Sequence, residues 1–496
     1  MSDNKTNSKH VSPSIFVIFG ASGDLTKRKL IPSLFHLYLE GFLPDGFHIV
    51  GVARRDLAAG FASSMKAAIT EFSKSDKQEE QLDSFVKRIS YYQMNLDDKE
   101  GYSGLRQYLD KIDADNDIKG NRLYYLSTAP EFFLDIIGYL GDNGMISPND
   151  SPYSRIIIEK PFGHDLESAK KLNAGVNRLF KEGQIFRIDH YLGKEEVQNI
   201  LVFRFANSIF EFIWNRNHID HIQITSAESI GVEGRGPFYE KAGAVRDVLQ
   251  NHIMEVLALV TMEPPISFES AAIRREKLKL WHSIKPINVD NIVRGQYSGG
   301  EDGELPYRQE DRVSNTSNTE TFVALKMEID NWRWAGVPIY IRAGKRLPKK
   351  ATEIVIEFKA PPTLLFGENT DDNKVLPNLL IIRFQPNEGI SLRFGAKVPG
   401  PHTNVQPVDM DFKYSHAFDL STATGYERLL LDALLGDQTL FTDRHGVEVT
   451  WTLYTPILEL WAKTPPKGFP NYVSGSWGPP EADELLKRDG RKWHNP

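Results

Sequence analysis

A short apolar run that ends in a glycine-rich turn constrains this chain more than any other feature. Residues 14–19 read Ser-Ile-Phe-Val-Ile-Phe. A continuous apolar run of this length suits a strand buried on both faces. It stops at Gly20-Ala21-Ser22-Gly23-Asp24-Leu25. Leu30, Leu34, Leu37 and Tyr38 then recur at helical spacing as far as Gly41, and residues 47–53 form a second apolar run. Strand, glycine turn, helix, strand is a βαβ unit. Residues 122–126 and 155–158 continue the alternation, so the pattern predicts a doubly wound parallel sheet.

The second half has a different rhythm. Residues 221–228, 321–329 and 353–358 alternate apolar and polar side chains, and 379–384 and 390–394 also read as strands. Period-two segments joined by short connections indicate an antiparallel sheet. Helical stretches are expected around 243–262 and 425–440, and a loop over 358–374. The expected organisation is a disordered tail at 1–12, an α/β Rossmann-like domain at 13–195 and a larger α+β domain at 196–496, built on a mostly antiparallel sheet. A length of 496 residues accommodates two large domains. Cysteine is absent, which excludes disulfides, thiolate metal sites and a cysteine nucleophile. With 59 Lys and Arg against 66 Asp and Glu, the net charge of −7 argues against a general nucleic-acid binder. The polar N-terminus lacks a signal-peptide core, and no apolar stretch is long enough to span a membrane. A cytoplasmic protein is expected.

The turn at 20–25 lets backbone N–H groups approach a phosphate, and the following helix offers its positive end. It matches G-x-G-x-x-G imperfectly and is no Walker loop. The plainer reading is a tight βα turn. Arg54-Arg55 stands where a dinucleotide fold reads the adenosine ribose. An acid there selects NAD, whereas an arginine accommodates the 2′-phosphate of NADP. An exposed basic loop is the alternative. Lys160-Pro161-Phe162-Gly163 follows a strand, so it is either a strand terminator or part of a site, with its X-Pro bond open to the cis form.

Two Asp-His pairs compete for general-base chemistry, in which a carboxylate orients and stabilises an imidazolium. Asp189-His190 lies among Arg187, Gly193 and Lys194, which suit an anionic substrate. Asp220-His221 leads into an alternating strand, where a structural role is expected. On residues alone the first pair is favoured. Within 246–255, Asp247, Asn251 and Glu255 share a helical face at i, i+4, with His252 displaced around the helix. His252 and Glu255 find no second histidine cluster, so no metal is expected. Lys345, Arg346, Lys349 and Lys350 crowd one loop, either a phosphate clamp or a solvated charge run.

Four blocks, Gly-Ala-Ser-Gly-Asp-Leu at 20–25, Glu-Lys-Pro-Phe-Gly at 159–163, Arg-Ile-Asp-His-Tyr-Leu-Gly-Lys at 187–194 and Arg-Asp-Val-Leu-Gln-Asn-His at 246–252, occur together. In order and spacing they resemble the glucose-6-phosphate dehydrogenase family, from about residue 14 to Trp477-Gly-Pro. The resemblance implies oxidation of glucose 6-phosphate at C1 to 6-phosphogluconolactone with hydride transfer to NADP, the first step of the oxidative pentose phosphate pathway. It also implies a different base. His252 takes the proton with Asp189 as its carboxylate partner, while His190, Tyr191 and Lys194 hold the substrate phosphate. Glu228, Asp247 and Lys345 become sugar or phosphate contacts, and Lys160 bridges substrate and cofactor. A further substrate lysine is assigned to Lys350, with Lys349 as competitor. Gly20, Ala21, Ser22, Gly23, Asp24, Leu25, Arg54 and Asp97 become cofactor contacts. A homodimer or homotetramer is implied, and a second, structural NADP is left open. An NADP sensor that kept the fold would show a broken base or phosphate motif. A phosphosugar isomerase would not need the glycine turn and arginine pair.

Overall fold

Continuous apolar strands build the centre of the first sheet, as their sequences require. The structure is a computed structural model that describes residues 10–73, 78–301, 303–363, 376–402, 404–417, 425–466 and 468–496. Residues 1–9 of the expected tail and 364–374 of the expected loop lie outside the described residues. Val11 is buried, so the tail expected to run to residue 12 is too long at its inner end.

The chain divides into two compact units. The first holds residues 1–195 together with Ile266–Arg274 and Thr422–Glu448, and the second holds the remainder. The expectation assigned all of 196–496 to the second domain. Two segments depart from it because their polar groups close bonds in the first unit. Arg274 donates to the Phe441 carbonyl, Gln438 to the Ile185 carbonyl at 2.9 Å, and Arg155 to the Ala433 carbonyl at 3.0 Å. Helix Gly425–Leu435 buries Leu429, Leu430, Ala433 and Leu434.

In the first unit, β1 (Ile15–Phe19), β2 (His48–Ala53), β3 (Ile89–Gln93), β4 (Arg122–Leu126), β5 (Ser154–Ile158) and β6 (Ile185–Arg187) pair in the order β3-β2-β1-β4-β5-β6. All pairings are parallel. β1 and β4 are buried along their whole length. The strand order reverses between β1 and β4, and in open α/β sheets ligands bind outside the C-terminal ends of the strands at such a point.

In the second unit, β7 (Ile219–Ala227), β8 (Ile292–Gly295), β9 (Phe322–Glu328), β10 (Pro338–Gly344), β11 (Ala351–Phe358), β12 (Leu379–Gln385), β13 (Gly389–Lys397) and β14 (Val405–Lys413) pair as β14-β13-β12-β11-β7-β10-β9-β8. The sheet is mostly antiparallel as expected, but β7 and β10 run parallel. The alternation in β7 does not mark a wet face, because His221, Gln223 and Thr225 are buried. Residues 491–495 cover them. The Arg491 guanidinium grips both Asp220 oxygens, Gln223 donates to the Lys492 carbonyl, and the His494 N–H donates back to Gln223. Asp220, His221 and Glu357 cluster within 4.8 Å, but with Asp220 held by Arg491 and His221 bonded to Asp220 and Gln223, the cluster is a strand clasp. Among the described residues no helix is long and apolar enough to cross a membrane.

The segment expected as one helix over 243–262 has three parts. Helix Gly236–Ala244 kinks at Gly243, Val245–Ile253 is π-helical, and Met254–Thr261 is an α-helix buried at every position. Gly243 has φ +63°, and a Cβ there would lie 2.3 Å from a Glu320 carboxylate oxygen. The close approach lets Glu320 accept the Val245 N–H through its carboxylate and the Ala244 N–H through its carbonyl. In the following α-helix, Glu255 pairs with Lys277 at 2.5 Å, each residue only 2% exposed.

Removing one member of such a buried pair strands the other charge. Lys277→Met is expected to lower the unfolding free energy by about 3–5 kcal/mol, while Glu255→Leu/Lys277→Met recovers most of the loss. Urea unfolding checks both. A Lys277→Met loss below about 1 kcal/mol would show that the pair is not desolvated.

Candidate active site

Parallel pairing sends the chain out of the first sheet on one edge, and the expected residues of this unit follow its strands there. After β1 the chain turns at Gly20, whose φ is +85°. A Cβ at this position would come 2.2 Å from the Ser127 carbonyl oxygen, just beyond β4. Only glycine permits both the angle and the approach. The Gly20 and Ala21 N–H groups donate to the Val52 carbonyl, and the Gly23 N–H to the Gly20 carbonyl. Helical backbone begins at Asp24. Its first-turn N–H groups lack intrahelical acceptors and favour an anion. Asp24 carries its carboxylate against Arg28 at 2.7 Å, so its backbone rather than its side chain suits a phosphate.

Arg54 and Arg55 are exposed just past β2, and Asp97 is exposed beyond β3. Lys160 follows β5, and its bond to Pro161 is cis. The preceding Glu159 was quoted in the sequence motif without a role. Its carboxylate accepts from the Tyr125 and Tyr426 hydroxyls. Burial pushes its carboxyl above the usual carboxylate range, and the two donors oppose that shift.

After β6, residues 189–194 form a tight turn. The Leu192 N–H donates to the Asp189 carbonyl at 3.0 Å and the Lys194 N–H to the Tyr191 carbonyl at 3.1 Å. Asp189 is fully buried, and its Oδ1 accepts the Tyr191 N–H at 2.9 Å. The His190 ring meets Tyr191 edge-on at 5.2 Å, and the Lys194 ammonium lies 4.5 Å from the Tyr191 ring centre. Tyr191 therefore holds a histidine and a lysine on one turn, each able to donate to an anion. At Gly193 a Cβ would lie 2.2 Å from the Gly425 carbonyl oxygen, which leaves room for no side chain.

The second unit assembles its own group. Ala227 on β7 is in register with Gly344 on the parallel strand β10, so the next residues, Glu228 and Lys345, emerge side by side. Their charged ends lie 2.8 Å apart. Lys345 is 2% exposed, with its ammonium 5.2 Å from the Tyr239 ring centre. The solvated-loop alternative fails for Lys345, whereas Lys349 and Lys350 are both exposed. Asp247 and Glu228 also stand near Tyr239, and burial together with Asp247, Glu320 and Glu228 drives its phenol well above the usual range. Tyr239 is the organising side chain that the sequence did not disclose.

His252 is buried on the π-helical segment. Winding with i→i+5 bonds brings Asp247 and His252 toward one line. The expected α-helical face of Asp247, Asn251 and Glu255 is corrected accordingly, with Asn251 and Glu255 turned into the interior.

These features fit a dinucleotide. A cradle that no Cβ can enter, a helix N-terminus and an arginine pair all lie at the edge where the strand order reverses. The family model "Glucose-6-phosphate dehydrogenase, NAD binding domain" matches residues 17–199, and that of the C-terminal domain matches residues 201–494. A glucose-6-phosphate 1-dehydrogenase of Chlamydia pneumoniae is 49% identical, covering 97% of this chain and 96% of its own. One of Bacillus subtilis is 45% identical over 99% of this chain and 100% of its own. A solved glucose-6-phosphate dehydrogenase in complex with its substrate superimposes with a TM-score of 0.88 at 37% identity, covering 98% of this chain and 99% of that one. The Mycobacterium avium enzyme gives 0.84 at 36% identity, with 98% and 99% covered. The chain belongs to the glucose-6-phosphate dehydrogenase family.

Proposed function

We propose that this chain oxidises glucose 6-phosphate at C1 to 6-phosphogluconolactone with NADP as the hydride acceptor. The observation that carries this reading is the Gly20 turn at the reversal of strand order, closed to any Cβ and followed along the same sheet edge by Arg54, Lys160 and the His190–Lys194 turn. Bound NADP supplies the redox chemistry, and the protein supplies position and proton handling.

His252 takes the C1 hydroxyl proton as hydride departs, and Asp189 stabilises the imidazolium that forms. His190, Tyr191 and Lys194 bind the substrate phosphate. Glu228, Asp247 and Lys345 bind the sugar or its phosphate, Lys160 bridges substrate and cofactor, and Lys350 is the further substrate lysine, with Lys349 as competitor. Gly20, Ala21, Ser22, Gly23, Asp24 and Leu25 hold the dinucleotide phosphates, Arg54 the 2′-phosphate, and Asp97 completes the cofactor side. The same reading makes the protein a cytoplasmic homodimer or homotetramer. Mixing purified protein with glucose 6-phosphate and NADP and following absorbance of the reduced cofactor tests the activity. No reduction would refute it.

Arg54→Ala is expected to raise the KM for NADP far more than that for NAD. Equal effects on both cofactors would remove the 2′-phosphate role.

His190→Ala and Lys194→Ala are each expected to weaken glucose 6-phosphate binding by about 10- to 150-fold, the size of a lost charge-assisted hydrogen bond. Free glucose lacks the phosphate and should be affected little. Comparable losses for both sugars would assign these residues elsewhere.

His252→Asn is expected to lower kcat by about 10²–10⁴ with little change in substrate dissociation, because the base acts mainly in the transition state. Asp189→Asn should lower kcat as well. His221→Asn is the control, since His221 serves the β7 clasp. Near-normal turnover in His252→Asn, or a folded but inactive His221→Asn, overturns the assignment.

A further inference from the structure

Tyr91 on β3 lies directly opposite Gly51 on β2. A Cβ at position 51 would sit 2.4 Å from the Phe61 ring, so the missing side chain lets Phe61 settle against the sheet. The Phe61 and Tyr91 rings then pack with centres 4.7 Å apart, and both residues are buried. Held there, Tyr91 extends its hydroxyl to the end of β2. The hydroxyl lies 2.9 Å from the Ala53 carbonyl oxygen and also bonds the Arg55 carbonyl. Its single proton is shared between the two. Gln93 donates to the intervening Arg54 carbonyl at 3.3 Å, and the Met94 N–H to the Ala53 carbonyl at 3.1 Å. Three successive carbonyls are thus tied down from β3 and the residue after it, while the Arg54 and Arg55 side chains stay exposed.

Taking Arg54 to face the 2′-phosphate as proposed above, we infer that Tyr91 is a positioning residue for cofactor choice. It fixes the backbone from which the Arg54 guanidinium reaches the 2′-phosphate. A loop ordered in advance loses less conformational freedom when a ligand arrives. That advantage goes only to a ligand that Arg54 binds, so a nucleotide without a 2′-phosphate gains nothing from it.

The test is calorimetric titration of wild type, Tyr91→Phe, Gln93→Ala and Arg54→Ala with adenosine 2′,5′-bisphosphate and with adenosine 5′-monophosphate. Tyr91→Phe keeps the ring against Phe61 and should melt close to wild type. Its affinity for the bisphosphate should fall roughly 2- to 12-fold, the range of one net hydrogen bond, with the monophosphate unchanged. The kcat/KM for NADP should fall by the same factor and that for NAD should not. Gln93→Ala, an exposed position, should show a smaller loss with the same selectivity, and it carries the test should Tyr91→Phe fail to fold. Wild-type affinities in the Tyr91→Phe protein, or equal losses for both nucleotides, overturn the inference while Arg54→Ala still loses the bisphosphate. An Arg54→Ala protein that binds the bisphosphate normally removes the 2′-phosphate reading itself, and the role of Tyr91 with it.

Discussion

Parallel strands carry their C-terminal ends to one edge of a sheet, and the chain has to turn there before it can cross back. In the first unit that requirement gathers the glycine turn, the arginine pair, Lys160 and the 189–194 turn along a single edge, although they are scattered through nearly two hundred residues of sequence. The second unit uses the same constraint once among its described strands. β7 and β10 are the parallel neighbours in an otherwise antiparallel sheet, and Glu228 and Lys345 leave their ends together. An antiparallel pair would have sent these two residues to opposite ends.

Charge buried near these edges has to be answered locally. Ionised groups removed from water are costly unless paired or hydrogen-bonded. Glu255 meets Lys277, Lys345 meets Glu228, and Asp189 accepts a backbone N–H from its own turn. Glu320 is buried at the start of the π-helical segment and accepts N–H groups where a helix leaves donors without partners. Two of these answers also fix backbone: Asp189 that of its own turn, and Glu320 the start of the segment that carries His252.

Legibility in the sequence followed the range of the interaction. β1 and the turn after it were readable because apolar continuity and glycine chemistry act over a few residues. The π-helical winding was not, since 245–253 has the same amphipathic composition as an α-helix, and the contact that anchors its start joins Val245 to Glu320, far along the chain. An amphipathic helix such as Gly425–Leu435 shows that it will be buried but not against which unit. The alternation of β7 gave no sign of what covers its polar residues, because their partners, residues 491–495, are remote. Lys345 looked like one of several loop cations, and only the register of β7 with β10 separates it from Lys349 and Lys350. The family motifs named His252 where spacing alone had favoured His190, because a proposed partner sixty-odd residues away in sequence leaves no local pattern.

The long-range closures also bear on how the molecule is made. A chain emerges from the ribosome at about 5–20 residues per second, and β7 is exposed well before β10 and β11, its two neighbours, have been synthesised. Its polar face waits longer still, until residues 491–495 arrive. The first unit is no better placed, because its helix Gly425–Leu435 is translated after most of the second unit. Neither unit can be completed before these late segments are made, so a chain that lacks them carries an unfinished version of both.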